Sequence, residues 1–125
     1  MGLAACAGLP TYSAAPIGEN LILNRAEIEL ALGERQALRI KAAGWGEDVL
    51  LIKGAEGEIH GVGMTCSHLG CQVRPGGNFL VCPCHGSTFD LRGDVVRGPA
   101  QKSLSRYDVE LSPGEITIRA DRERI

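Results

Sequence analysis

The sequence predicts an all-β domain, a sandwich or barrel built from short strands. Three observations predict it. Short runs of Val, Ile and Leu alternate with turn-forming residues from residue 21 onward. Gly (17) and Pro (6) make up nearly a fifth of the 125 residues, which favours many turns over long helices. Aromatic residues are only 4%, so the core must be aliphatic. A chain of this length reads as one domain with a modest core, too short to pair that domain with a second, catalytic one. Net charge is -2 with both signs scattered, so no basic stripe points to nucleic acid. No run of about 18 apolar residues, the length a membrane-crossing helix needs, is present.

Residues 1–20 are rich in Ala, Gly and Pro, with Pro10 and Pro16 bracketing residues 11–15, and are expected to be a flexible tether. Leu3-Ala4-Ala5-Cys6 has the form of a bacterial lipoprotein cleavage box, with Cys6 as the lipidated residue, but the charged and apolar stretches that precede such a box are absent. The segment reads either as a disordered remnant or as what is left of a membrane tether. Cys6 also stands where a myristoylation site after Met1-Gly2 needs Ser or Thr. From there a domain spanning 21–125 is expected. Strands are predicted over 21–23, 37–40, 49–52 and 59–62, with Gly54-Ala55-Glu56-Gly57 turning the last pair into a hairpin. Residues 30–38 carry a helical turn at most, because Gly33 interrupts them. Residues 79–81 and 88–91 flank a later loop. Residues 106–111 and 115–118 close the domain as a hairpin through Ser112-Pro113-Gly114.

The chemistry sits in two strings. The first is Cys66-Ser67-His68-Leu69-Gly70-Cys71 and the second is Cys82-Pro83-Cys84-His85-Gly86-Ser87. They fall at the tips of expected hairpins and form two loops of a small sub-domain, about residues 64–100, capping one end. Cys66 with His68, and Cys82 with His85, supply two thiolates and two imidazoles. That donor set suits zinc, and it equally suits a [2Fe–2S] centre in which two histidines replace two cysteines on one iron. Gly70 and Gly86 allow positive φ in the tight loops, and Pro83 fixes φ between two cysteines. Cys71 and Cys84 occupy equivalent places beside the two ligand pairs.

At these residues the sequence resembles the Rieske iron–sulfur proteins, specifically their high-potential, disulfide-bearing branch in cytochrome bc-type complexes. The resemblance covers about residues 21–118, with its specificity in 66–89. It implies an antiparallel sandwich with a cluster-binding sub-domain and one [2Fe–2S] cluster per chain. Cys66 and Cys82 would ligate the buried iron, and His68 and His85 the exposed one. A Cys71–Cys84 disulfide would tie the loops, which points to an oxidising, extracytoplasmic compartment on the periplasmic side of the membrane. Ser87 would direct its hydroxyl at sulfur and raise the potential. Gly98-Pro99-Ala100 resembles the loop that covers the cluster in this branch, although Gln101 stands where a second proline is common. The C-x-H spacing, the Cys82–Ser87 string and the paired spare cysteines argue against zinc.

Function follows from the same resemblance. Neutral imidazole ligands leave such a site less negative than an all-cysteine one, so its potential runs from roughly -150 to +300 mV against about -400 mV for plant-type ferredoxins. Redox-linked protons at His68 and His85 suit quinol oxidation, with His85 as the residue that contacts the quinol. The expected role is the iron–sulfur subunit of a quinol–cytochrome c type oxidoreductase, with quinol and cytochrome-type partners and membrane association only through an N-terminal tether not present in this chain. The alternative is an electron-transfer partner of another enzyme, such as an oxygenase ferredoxin or the small subunit of a periplasmic oxidase like arsenite oxidase. The spare cysteines count against the ferredoxin.

Two departures stand out. Only thirteen residues separate His68 from Cys82, a short interval for the family. Phe89 occupies the place where many quinol-oxidising members carry Tyr. Outside the motifs, His60 reads as a surface histidine, Trp45 as a loop residue packed on the sandwich, and Tyr107 as core or edge packing.

Overall fold

A computed structural model describes residues 9–54, 56–66, 71–84, 86–100 and 102–123, without the side chains of 121–123. Eleven strands and one helix are present among them: β1 (Thr11–Ala14), β2 (Leu21–Asn24), α1 (Arg25–Leu32), β3 (Ala37–Ala42), β4 (Val49–Lys53), β5 (Ile59–Gly63), β6 (Arg74–Gly76), β7 (Phe79–Val81), β8 (Thr88–Asp90), β9 (Val95–Arg97), β10 (Arg106–Leu111) and β11 (Glu115–Glu123). They form a seven-stranded sheet in the order β1-β3-β4-β5-β10-β11-β2 and a four-stranded sheet in the order β6-β7-β8-β9. The small sheet is a continuous antiparallel meander between the two halves of the large one. It is the sub-domain that carries the cysteines.

β4 explains how the two layers hold together. Its run Val49-Leu50-Leu51-Ile52 is buried throughout, as a strand covered on both faces must be. Alternation sends Val49 and Leu51 into a core with Leu38, Ile40, Tyr107, Ile116 and Ile118. Leu50 and Ile52 face the other way, into a core shared with Val62, Met64, Leu80, Phe89 and Leu104. One strand thus serves the scaffold core and the core beneath the cysteine loops.

Two parts of the sequence reading are corrected. Thr11–Ala14, placed in the expected tether, pairs in parallel with Arg39–Ala42 and so extends the large sheet. A four-residue strand of mixed polarity has no stability of its own. β1 exists because the open edge of β3 supplies its partners. The helix is not a turn within 30–38 but runs over Arg25–Leu32. The Asn24 side chain accepts the Glu27 N–H at 3.0 Å and caps its start, and Gly33 at φ 55° ends it. Ile28 and Leu32, one turn apart, plug the large sheet. The Tyr12 hydroxyl donates to Glu27 at 2.5 Å, and that bond holds the tyrosine above its ordinary pKa. The contribution of this β1–α1 tie is complete below the ordinary tyrosine pKa and disappears as pH rises through the raised one.

Candidate metal centre

Each cysteine loop is closed at its neck by backbone hydrogen bonds. In the first, the Cys66 N–H donates to the Cys71 carbonyl at 2.6 Å, and Thr65 bridges Gln72 below it. In the second, the Cys82 N–H donates to the Ser87 carbonyl at 2.8 Å, and the Gly86 N–H returns to the Cys82 carbonyl at 3.0 Å. That return needs φ of 80° at Gly86, which a side chain resists. Cys71 and Cys84 form a disulfide joining the loops, with Cα atoms 6.5 Å apart. Cys66 and Cys82 stand outside it, 1% and 2% exposed, and share the core of Leu80 and Phe89.

The Cys71, Cys82 and Cys84 sulfurs lie within 4.8 Å of one another. Two of the three are bonded to each other, so Cys82 alone in this group is available to a metal. Two buried thiols, one at the neck of each tied loop, are the cysteine half of the expected donor set and suit a thiolate-held iron pair. His68 and His85 lie outside the described residues, as do Cys6 and Gln101.

Ser87 is completely buried. Its Oγ accepts the Ala100 N–H at 3.1 Å, which occupies the oxygen from one side and leaves its proton for another acceptor. The expected covering segment therefore does touch the second loop, and Gly98 allows the contact. Gly98 has φ of 104°, and a Cβ there would lie 2.6 Å from the Ser87 Cα and 3.2 Å from its Oγ. Gly98→Ala is expected to cost about 1–3 kcal/mol through backbone strain, before the clash is counted. Urea unfolding measures it, and a variant as stable as the parent would show that the segment leaves Ser87 freely.

One positioning residue escaped the sequence reading. Glu47 accepts the Thr65 N–H at 3.2 Å with Oε1 and the Tyr107 hydroxyl at 2.6 Å with Oε2. It thereby ties the residue before Cys66 to the large sheet, where Tyr107 stacks on Trp45 at 5.4 Å between ring centroids. Gly63 makes room, since a Cβ there would lie 2.5 Å from the carboxylate. Nothing near Glu47 in the chain signals this, because its partners lie 18 and 60 residues away. His60 is half-buried rather than a plain surface residue. Its Nε2 is 2.8 Å from the Leu91 carbonyl, which can only accept, so the ring carries its proton there and pins the β8–β9 hairpin to β5.

Comparison with known proteins agrees with this geometry. The profile of the Rieske [2Fe-2S] domain matches residues 22–108. The cytochrome b6-f complex iron-sulfur subunit of Prochlorococcus marinus subsp. pastoris is 42% identical over 78 residues, covering 59% of this chain and 44% of that protein. The chain thus spans less than half the length of that relative. The plasma membrane Rieske protein PetC3 of Synechocystis PCC 6803 superposes with a TM-score of 0.63 at 32% identity, over 72% of this chain and 92% of that one. A complex of oxygenase and ferredoxin in carbazole 1,9a-dioxygenase shares the fold at a TM-score of 0.59 and 20% identity. Two disulfide-tied loops, each with a buried thiol at its neck, and a profile match running from β2 into β10 place this chain in the Rieske [2Fe–2S] family, with a [2Fe–2S] cluster as its cofactor and electron transfer as its work.

Proposed function

We propose that this protein is the iron–sulfur subunit of a quinol–cytochrome c type oxidoreductase, working on the extracytoplasmic side of a membrane. The Cys71–Cys84 disulfide carries the reading, because a bond of this kind persists in oxidising compartments and sits here at the cluster loops. The sequence likeness to cytochrome b6-f iron-sulfur subunits supports it. The domain would run from β1 at Thr11 through β11, with the cluster-binding part over about 64–100 and tethering from the N-terminal side of β1.

The cluster supplies one-electron chemistry when bound. Cys66 and Cys82 would hold its buried side, with the aliphatic core around them excluding water. His68 and His85 would hold the outer side. A ring N–H of His85 would meet the quinol and carry its proton, and Ser87 would donate its hydroxyl proton toward sulfur. The test is a redox titration of the loaded protein against pH. The oxidised protein releases the histidine ring protons at lower pH than the reduced one. Reduction therefore takes up protons above that point, and the potential is expected to fall as pH rises between about 6 and about 10. A potential at the low end of the Rieske range, about -150 mV, would overturn the reading in favour of a ferredoxin-like donor.

Phe89 bears on how high the potential stands. Its ring is completely buried in the core that holds Cys66 and Cys82. A hydroxyl added there and donated to a ligand sulfur would favour the reduced, more negative state. A hydrogen bond to a charged acceptor is worth about 1.5–3 kcal/mol. With roughly half of that differing between redox states, and 59 mV per factor of ten, Phe89→Tyr is expected to raise the potential by about 40 mV. Protein-film voltammetry reads the shift. An unchanged or lower value with the cluster intact would place the ring away from the ligand sulfurs.

A further inference from the structure

A cleft of about 620 Å³ opens where the chain enters β1 and passes β3 and β6. Its accessible wall is apolar at Leu9, Pro10 and Pro75, with Met64 and Val73 buried behind it, and it is flanked by Arg35, Arg39 and Arg74. No carboxylate lines it among the described residues, although the chain as a whole carries a net charge of -2. The three arginines differ in what they have left to offer. Arg39 is committed, with Asp48 Oδ2 2.7 Å from Nη2 and Gln72 Oε1 also at 2.7 Å. Arg35 and Arg74 are exposed and form no ion pair among the described residues. Two uncommitted guanidiniums beside an apolar hollow attract an oxyanion, since their fork of donors matches carboxylate and phosphate geometry. The volume lies within the range of small-molecule sites.

We infer that this cleft binds an amphipathic organic anion, its phosphate or carboxylate between Arg35 and Arg74 and its apolar body against Leu9, Pro10 and Pro75. The site does not depend on the electron partners proposed above. One ligand chemistry has two sources here, a phospholipid headgroup and a soluble anion, and both must meet the same pair of arginines.

Calorimetric titration of the cluster-loaded protein with octyl phosphate tests the site. One octyl phosphate per chain is expected, with inorganic phosphate weaker and octanol silent. Both arginines are exposed, so Arg35→Gln/Arg74→Gln should leave the cluster absorption spectrum unchanged. That variant is expected to weaken octyl phosphate at least tenfold, about 1.4 kcal/mol, while Arg97→Gln leaves it unchanged. Failure of octyl phosphate to saturate, or equal affinity in the two variants, overturns the site. Vesicles of phosphatidylcholine with phosphatidylglycerol then separate the sources. Retention that the Arg35→Gln/Arg74→Gln variant loses identifies a lipid headgroup, and no retention with octyl phosphate binding intact identifies a soluble anion. Either outcome upholds the cleft.

Discussion

Cys82→Ala is expected to yield a folded chain that holds no iron, where the parent holds two irons and two acid-labile sulfides. Cys82 is 2% exposed at the neck of the second loop, and the other cysteine of that loop, Cys84, is already bonded to Cys71. No described thiol can take its place. Cys66→Ala is expected to behave alike, because Cys71 is the cysteine its own loop gives to the disulfide. His68→Ala and His85→Ala should also lose the cluster if the family's ligand pattern holds here. Iron and sulfide assays on protein matured in the presence of both read the result. The fold itself should survive Cys82→Ala, because Leu80, Phe89 and Leu104 keep the lower core filled. A fully loaded Cys82→Ala or His68→Ala protein would sink the ligand assignment.

Removing the disulfide should produce the largest loss of stability. The bond spans a sequence separation of 13, and closing a loop of that size stabilises a chain by about 3 kcal/mol when the unfolded state is the one restrained. Total stability for a domain is about 5–15 kcal/mol, so the loss is a large share. Its effect falls on the loops, which are otherwise held by their neck hydrogen bonds and the Ser87–Ala100 contact. The double variant Cys71→Ser/Cys84→Ser is the right one to make. A single replacement would leave a thiol within 4.8 Å of the Cys82 sulfur and invite mispairing. The double variant is expected to unfold at lower urea, to bleach faster on standing and to show a lower potential. Equal urea midpoints and equal cluster lifetimes would show that the loops stay closed without the bond.

The sequence by itself determined the parts whose chemistry is local. The aliphatic runs became β2, β3, β4 and β5 near their predicted bounds, and 79–81 and 106–111 became β7 and β10 at those bounds. Each of these runs has an apolar face whose burial outweighs any alternative for so few residues. The Cys66–Cys71 and Cys82–Ser87 strings were legible because metal ligation and loop curvature need particular residues at particular spacings. The helix is misplaced by the sequence: Gly33 reads as interrupting a turn over 30–38, whereas it ends a helix that starts at the Asn24 cap. Tertiary structure alone decided the rest. Arg74–Gly76 and Val95–Arg97 are three residues each and exist as strands only because β7 and β8 offer open edges. Thr11–Ala14 likewise takes its form from β3. Glu47 reaches Thr65 and Tyr107, Gly98 packs on Ser87, and Arg35 faces a cleft with Arg74, all across separations that no local pattern encodes. Such contacts have no signature in the chain, because their free energy depends on which surfaces the packed sheets bring together.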